Sequence, residues 1–335
     1  MKQVHWLHTP LFAKWYVTNR CNLRCRHCYL DDYTLRPPLG RLLDVADELS
    51  DAGVRSVAIL GGEPLTRDDL ELLMGRLTTL GITTRIATNG MYATPERVLS
   101  LIEHGASAFQ VSLEGATAEA CEAIRGPNTF PRITAGVEAL VAGGACVTLA
   151  YTMTAQNYRQ LPQCLDLAEK LGVSEVKLAP FIPTGSGAKA AQALSLTPVI
   201  CREIVTSLSA ACAKHPGLKI DGGPFLRRIA ITPRATQHMQ QRGTFGCGAG
   251  TTTIIINSDL SVSACDMRTQ SERTTRRLGE GTSLADIWRD SPLFARWRDQ
   301  TDRADFAGVH QHGCHLAYQS YGKDLFGNEA IRDER

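Results

Sequence analysis

Lys14-Trp15-Tyr16-Val17-Thr18-Asn19-Arg20-Cys21-Asn22-Leu23-Arg24-Cys25-Arg26-His27-Cys28-Tyr29 carries the first decision about this chain. Residues 14–19 are β-branched and aromatic and read as a strand. The loop that follows spaces three cysteines as C-x3-C-x2-C. In a parallel α/β fold, loops leaving the C-terminal ends of strands build the active face. Three thiolates on one such loop match three irons of a four-iron cluster, and the fourth iron is left to bind an amine and a carboxylate. Zinc is the alternative reading. Structural zinc sites usually pair two C-x2-C or Cys/His units, and no second unit lies nearby. His27 would have to ligate from between two ligands on a tight loop.

Outward from this stretch the chain alternates strand and helix. Strand runs are KWYVTN (14–19), SVAIL (56–60), TTRIAT (83–88), AFQVSL (108–113), CVTLAYT (146–152) and EVKLAP (175–180). Amphipathic stretches lie between them near 40–52, 66–79, 95–104, 132–143 and 159–171. In 132–143, Ile133, Val137, Leu140 and Val141 share one face, and Gly143–Gly144 stops the helix. Such alternation implies βαβ units and a parallel sheet. Six units fall two short of a closed eight-unit barrel, so the expected fold is α/β, a partial (β/α)6 barrel of TIM type. A helix near 196–214 follows.

After about residue 215 the pattern changes. Residues 216–245 are irregular, basic and rich in Pro and Gly and read as a connector between a barrel over 1–215 and a small module over 246–335. TTTIIINSDLSVSA (251–264) reads as a hairpin turning at Asn257-Ser258-Asp259. Residues 283–299 read as two helices, the first capped by Ser283 and the second started by Pro292.

Net charge is +2, which gives no reason to expect nucleic acid or a membrane surface as partner. No apolar run approaches the roughly 20 residues of a bilayer span, and no signal peptide is read at the N-terminus, so the cytosol is the expected compartment. Eleven cysteines are many for a cytosolic chain and point to metal sites rather than disulfides. Cys121, Cys146, Cys164, Cys201 and Cys212 are scattered among apolar residues and read as small buried hydrophobes.

Several further segments, taken with the cysteine loop, resemble the radical S-adenosylmethionine (SAM) superfamily. Gly61-Gly62-Glu63-Pro64 after the second strand is similar to its GGEP motif, which binds the methionine ammonium. Thr88-Asn89-Gly90 ends the third strand. Ser112-Leu113-Glu114-Gly115 ends the fourth and resembles S-[LI]-D-G with Glu in place of Asp; Ser112 is the implied ribose contact. Arg125-Gly126 with Thr129-Phe130 resembles an R-G-x-x-[ST]-F stretch, with Arg125 assigned to the methionine carboxylate. Pro183-Thr184-Gly185 resembles a turn near the adenosine. The resemblance implies that Cys21, Cys25 and Cys28 ligate a [4Fe-4S] cluster and that Tyr29 joins the cofactor site. It also implies that one electron from the cluster cleaves SAM to methionine and a 5′-deoxyadenosyl radical, which abstracts hydrogen from substrate.

Cys247, Cys265 and Cys314 form a second set. A hairpin brings Cys247 and Cys265 together, and later helices would bring in Cys314. Residues 240–325 resemble the SPASM/twitch extension of the superfamily, which holds auxiliary clusters. The family's further cysteine positions fall here on Thr253, Thr301, Ala304 and His310, so one auxiliary [4Fe-4S] cluster with three thiolates is implied. His310, His312 and His315 offer a fourth ligand; the alternative is a degenerate cap that binds nothing.

The resemblance implies modification of a peptide or protein side chain, in the manner of maturases of ribosomal peptides. Only about 13 residues precede the first strand, so a peptide would need a separate recognition protein or would dock at the barrel mouth. A small-molecule reading, on a sugar or a haem-type precursor, uses the same cysteines. A non-catalytic iron–sulfur scaffold is the third reading, and an intact GGEP and Ser112 speak against it. A flavodoxin or ferredoxin is the expected reductant. Asp221 and Asp266 are acid–base candidates by position only, and Tyr151 and Tyr158 read as packing.

Overall fold

The structure, a computed structural model, describes residues 6–222, 248–267 and 272–301. All six expected strands are present: β1 (Phe12–Thr18), β2 (Ser56–Gly61), β3 (Thr83–Thr88), β4 (Ala106–Ser112), β5 (Cys146–Met153) and β6 (Glu175–Pro180). They pair in chain order, each parallel to the next. Between and after them run α1 (Leu39–Asp51), α2 (Leu70–Thr79), α3 (Pro95–Glu103), α4 (Ala118–Arg125), α5 (Phe130–Ala142), α6 (Leu161–Lys170), α7 (Ala191–Leu194) and α8 (Pro198–Lys214). The result is the open, partial barrel expected from the alternation. No single described helix is long and apolar enough to cross a membrane.

The two faces of the sheet differ residue by residue, as the two-residue period of a strand requires. Val57, Ile59, Ile86, Phe109, Val111, Val176 and Leu178 are buried in the main hydrophobic core. The alternate residues Ser56, Ala58, Arg85, Ala87, Gln110, Ser112, Lys177 and Ala179 line an interior cavity. Helix starts follow local chemistry: Thr94 and Thr197 accept from the amides of Arg97 and Ile200, each followed by Pro at the first helical position.

Four features differ from the sequence reading. β7 (Lys219–Asp221) pairs with β6 inside the stretch read as a connector. It is three residues long, too short for a periodic signal. Helix α4 was not anticipated, because only Cys121, Ile124 and Arg125 are buried along it. The hairpin β8 (Thr253–Ile256) and β9 (Ser261–Ser263) forms as expected, but β8 pairs parallel with β1 and so continues the barrel sheet. A further strand, β10 (Arg273–Arg277), flanks β9; its sequence RTTRR is that of a charged edge strand, which hydrophobic patterning misses. The sheet order is β10-β9-β8-β1-β2-β3-β4-β5-β6-β7.

The two expected helices are α9 (Leu284–Asp290), capped by Ser283 through the Asp286 amide, and α10 (Pro292–Thr301). Arg298 ties them to the hairpin: its guanidinium lies 3.7 Å from the Trp6 ring centroid and 4.6 Å from that of Trp288, and its Nε donates to the Gly250 carbonyl at 2.9 Å. Of the scattered cysteines, Cys121, Cys164 and Cys201 are buried as expected and Cys212 is half-buried. Cys146 is exposed, a correction, because it opens β5 at the end of the barrel away from the core.

Candidate functional site

The cysteine loop leaves β1 and is fixed from three sides. Gly62 and Glu63 donate their amides to the carbonyls of Thr18 and Arg20, both at 2.8 Å. A Cβ on Gly61 would collide with the Thr18 carbonyl, and one on Gly62 with those of Asn19 and Arg20. These glycines therefore let two backbone segments touch. From a second side, Asn89 Nδ2 donates to Asn22 Oδ1 at 2.8 Å. From the third, the turn after β6 clamps the loop: Ser186 and Gly187 donate their amides to Leu30 and Cys28 at 3.0 and 2.7 Å.

Gly185 in that clamp has φ +56°, and a Cβ there would strike the Tyr29 carbonyl. Gly185→Ala is expected to destabilise the protein by about 1–3 kcal/mol. Gly217→Ala, where nothing lies within 4 Å, should change little. Thermal unfolding of the two variants checks this.

Cys21, Cys25 and Cys28 all line one cavity of about 570 Å³, as do Tyr29, Gly61, Gly62, Thr88, Asn89, Ser112 and Arg125. Glu63, Pro64 and Glu114 stand behind this lining rather than on it. The Glu63 carboxylate is fully buried and turned into the protein. It accepts from the Leu65 amide at 2.9 Å, the Thr88 hydroxyl at 2.7 Å and the Asn89 amide at 2.6 Å. Burial raises its pKa, and those three hydrogen bonds resist the rise. Glu114 is equally buried and ion-paired to Arg125 Nε. Burial alone would raise its pKa, but the Arg125 guanidinium outweighs it and holds the carboxyl low.

Arg125 also sets Nη1 3.9 Å from Cys25 Sγ, placing a cation against that thiol. Burial pushes the Cys21 thiol up to about 11 and the Cys25 thiol up to about 12, so metal ions would have to displace their protons. Burial also lowers His27 to about 4, which leaves it neutral at pH 7. Its Nε2 approach to Glu114 Oε1 at 3.6 Å is therefore not an ion pair. His27 Nδ1 and Glu114 Oε1 are both buried without a hydrogen-bond partner. Among the described residues, no three His, Cys, Asp or Glu side chains gather closely enough to hold a single metal ion.

Of the second cysteine set, Cys247 and Cys314 lie outside the described residues, with His310, His312 and His315. Cys265 follows β9 and is half-buried. The next residues, Asp266 and Met267, line the same cavity as the first cysteine loop. Asp266 Oδ2 accepts from Lys14 Nζ at 2.7 Å. Tyr151, which lines the cavity, donates its hydroxyl to the Asn157 carbonyl at 2.6 Å, and Tyr158 donates to Glu203 at 2.7 Å.

Sequence reasoning missed the lumen side chains Lys14, Arg85, Gln110 and Lys177. The available signal was their position: strands of a parallel barrel covered on both faces read as continuous apolar runs, so long polar residues at alternate positions mark a cavity.

Residues 15–168 match the family model described as Radical SAM superfamily. The chain is 29% identical over 308 residues to the mycofactocin maturase MftC of Mycobacterium ulcerans (strain Agy99), covering 88% of this chain and 79% of that one. It is 28% identical over 338 residues to the AdoMet-dependent heme synthase of Methanosarcina barkeri (strain Fusaro / DSM 804), covering 95% of each. Among solved structures, Streptococcus suis SuiB bound to precursor peptide SuiA superposes with TM-score 0.76 at 20% identity, covering 99% of this chain and 77% of that one. Native anSMEcpe with bound AdoMet gives TM-score 0.76 at 16% identity, covering 96% and 94%. At these identities the two structures speak to the fold alone.

Proposed function

We propose, for a chain that belongs to the Radical SAM superfamily through residues 15–168, that it is a maturase acting on a peptide or protein side chain. Cys21, Cys25 and Cys28 would hold a [4Fe-4S] cluster. When bound, that cluster supplies the electron that cleaves SAM and releases the hydrogen-abstracting 5′-deoxyadenosyl radical.

One observation carries the reading: the three thiols share a single cavity with the ends of β2, β3 and β4 and with Arg125. The donor set fits the group. A zinc ion would draw its sulfurs to within about 4 Å of one another. A four-iron cluster takes one thiolate per iron and spreads them, which suits three thiols on a shared wall without single-ion spacing.

The chain's own residues do the rest. Arg125 supplies positive charge beside Cys25 and, with the Ser112 hydroxyl, faces the space where SAM would lie. Glu63 is committed to Thr88 and Asn89, so the main chain of 61–62 rather than the carboxylate is left to meet the methionine ammonium. Cys247, Cys265 and Cys314 would hold one auxiliary [4Fe-4S] cluster. A flavodoxin or ferredoxin would deliver electrons, and the peptide would be presented by a separate protein or dock at the barrel mouth directly.

MftC supports the peptide reading by its name and its 29% identity. A second reading, radical chemistry on a tetrapyrrole, is favoured by the heme synthase, which matches across 95% of both chains. The deciding experiment incubates reduced holoenzyme and SAM with short peptides encoded beside the gene, and separately with a tetrapyrrole carboxylate. The expected result is a mass change in one peptide, with 5′-deoxyadenosine formed in proportion. Unchanged peptides beside an altered tetrapyrrole would move the assignment to the second reading.

A further inference from the structure

Below the cysteine loop, the lumen carries charge that SAM cleavage does not use. Lys14 on β1, Arg85 on β3, Gln110 on β4 and Lys177 on β6 all line the cavity. Lys14 is held by Asp266. Lys177 is half-buried and, among the described residues, makes no hydrogen bond and no ion pair, although Asp221 stands opposite it in the β6–β7 register. Burial first, then Lys14 and Arg85, push its ammonium below the ordinary value, against a partial pull from Asp221 and Asp266. A part-buried ammonium without an acceptor is costly unless something supplies one. Gln110 adds a neutral amide donor to the same wall. Among the described residues, the cations Lys14, Arg85 and Lys177 stand with the carboxylates of Asp266 on the cavity wall and Asp221 beside Lys177, an excess of one positive charge. That excess suits a single carboxylate better than a phosphate dianion.

We propose that the barrel lumen binds a carboxylate of the substrate, with Lys177 and Arg85 as its cationic partners and Gln110 as a hydrogen-bond donor. This rests on the lumen being the chamber in which the radical meets its substrate. The same chemistry has three sources: an acidic side chain of a peptide, a peptide C-terminus, or a propionate of a tetrapyrrole. In each case the carboxylate anchors the molecule at the floor, and the reacting carbon lies above it toward the cysteine loop.

The test is acetylation of lysines in anaerobic, SAM-bound holoenzyme, mapped by peptide mass spectrometry. The probes are N-acetylglutamate N-methylamide, its glutamine counterpart, N-acetylalanine and coproporphyrin. A carboxylate at about ten times its dissociation constant should slow Lys177 labelling about tenfold. Exposed Lys219 should be unaffected, and protection should be lost in Arg85→Gln. Whichever carboxylate protects at the lowest concentration identifies the source. Equal protection by the glutamine probe, or none by any carboxylate, overturns the proposal. 5′-Deoxyadenosine release by the same preparation is scored separately. Release without protection overturns the carboxylate site alone, and protection without release overturns the radical reading alone.

Discussion

Cys25→Ala should abolish reductive cleavage of SAM, with a loss of about a millionfold or more, because the loop then lacks one of the three thiolates that would hold the electron-donating cluster. Cys25 is the sharpest choice of the three. It carries the highest thiol pKa of the loop's shifted cysteines and lies against Arg125, so its replacement removes a ligand and uncovers a cation. Cys121→Ala is the matched control, a fully buried thiol on α4 whose role is packing. That variant should keep its iron and its activity and lose about 1–2 kcal/mol of stability. Iron content and 5′-deoxyadenosine release, measured on both, separate ligation from packing. Equal activity in the two variants would contradict the assignment of the loop.

The Glu114–Arg125 pair should give the largest stability effect outside the cysteines. Glu114 is fully buried and Arg125 nearly so. Neutralising one member of a buried pair typically costs about 3–5 kcal/mol, because the other charge is left uncompensated. Glu114→Gln is therefore expected to lower the melting temperature by about 5–10 °C. Arg125→Met should do the same, and the double variant should lose less than the two singles combined. Arg125→Lys should not restore the wild-type value, since a single ammonium cannot serve Glu114 and Cys25 together. Additive losses in the double variant would show that the pair contributes no coupling.

Much of the scaffold was legible because local chemistry sufficed. The six parallel strands follow from β-branched runs, and Ser283 and Pro292 announce their helices by cap and proline. The cysteine loop follows from spacing alone. What stayed hidden depends on partners distant in the chain. Lys14 meets Asp266 across 252 residues, and no window of sequence contains both. The directions of the motif carboxylates Glu63 and Glu114 are set by Thr88 on β3 and Arg125 on α4, which no motif spells out. By resemblance Pro183-Thr184-Gly185 is a turn near the adenosine, and its last residue opens the clamp at 185–187. Its tight fit against Tyr29 appears only when β6 and the cysteine loop are packed together.

Mössbauer spectra of the anaerobically prepared Cys247/Cys265/Cys314 triple-alanine protein, with and without SAM, isolate the first loop. About four irons per chain are expected, one of them changing its signal when SAM is added. Tetrahedral zinc in place of iron, or four irons indifferent to SAM, would contradict an open iron at Cys21, Cys25 and Cys28.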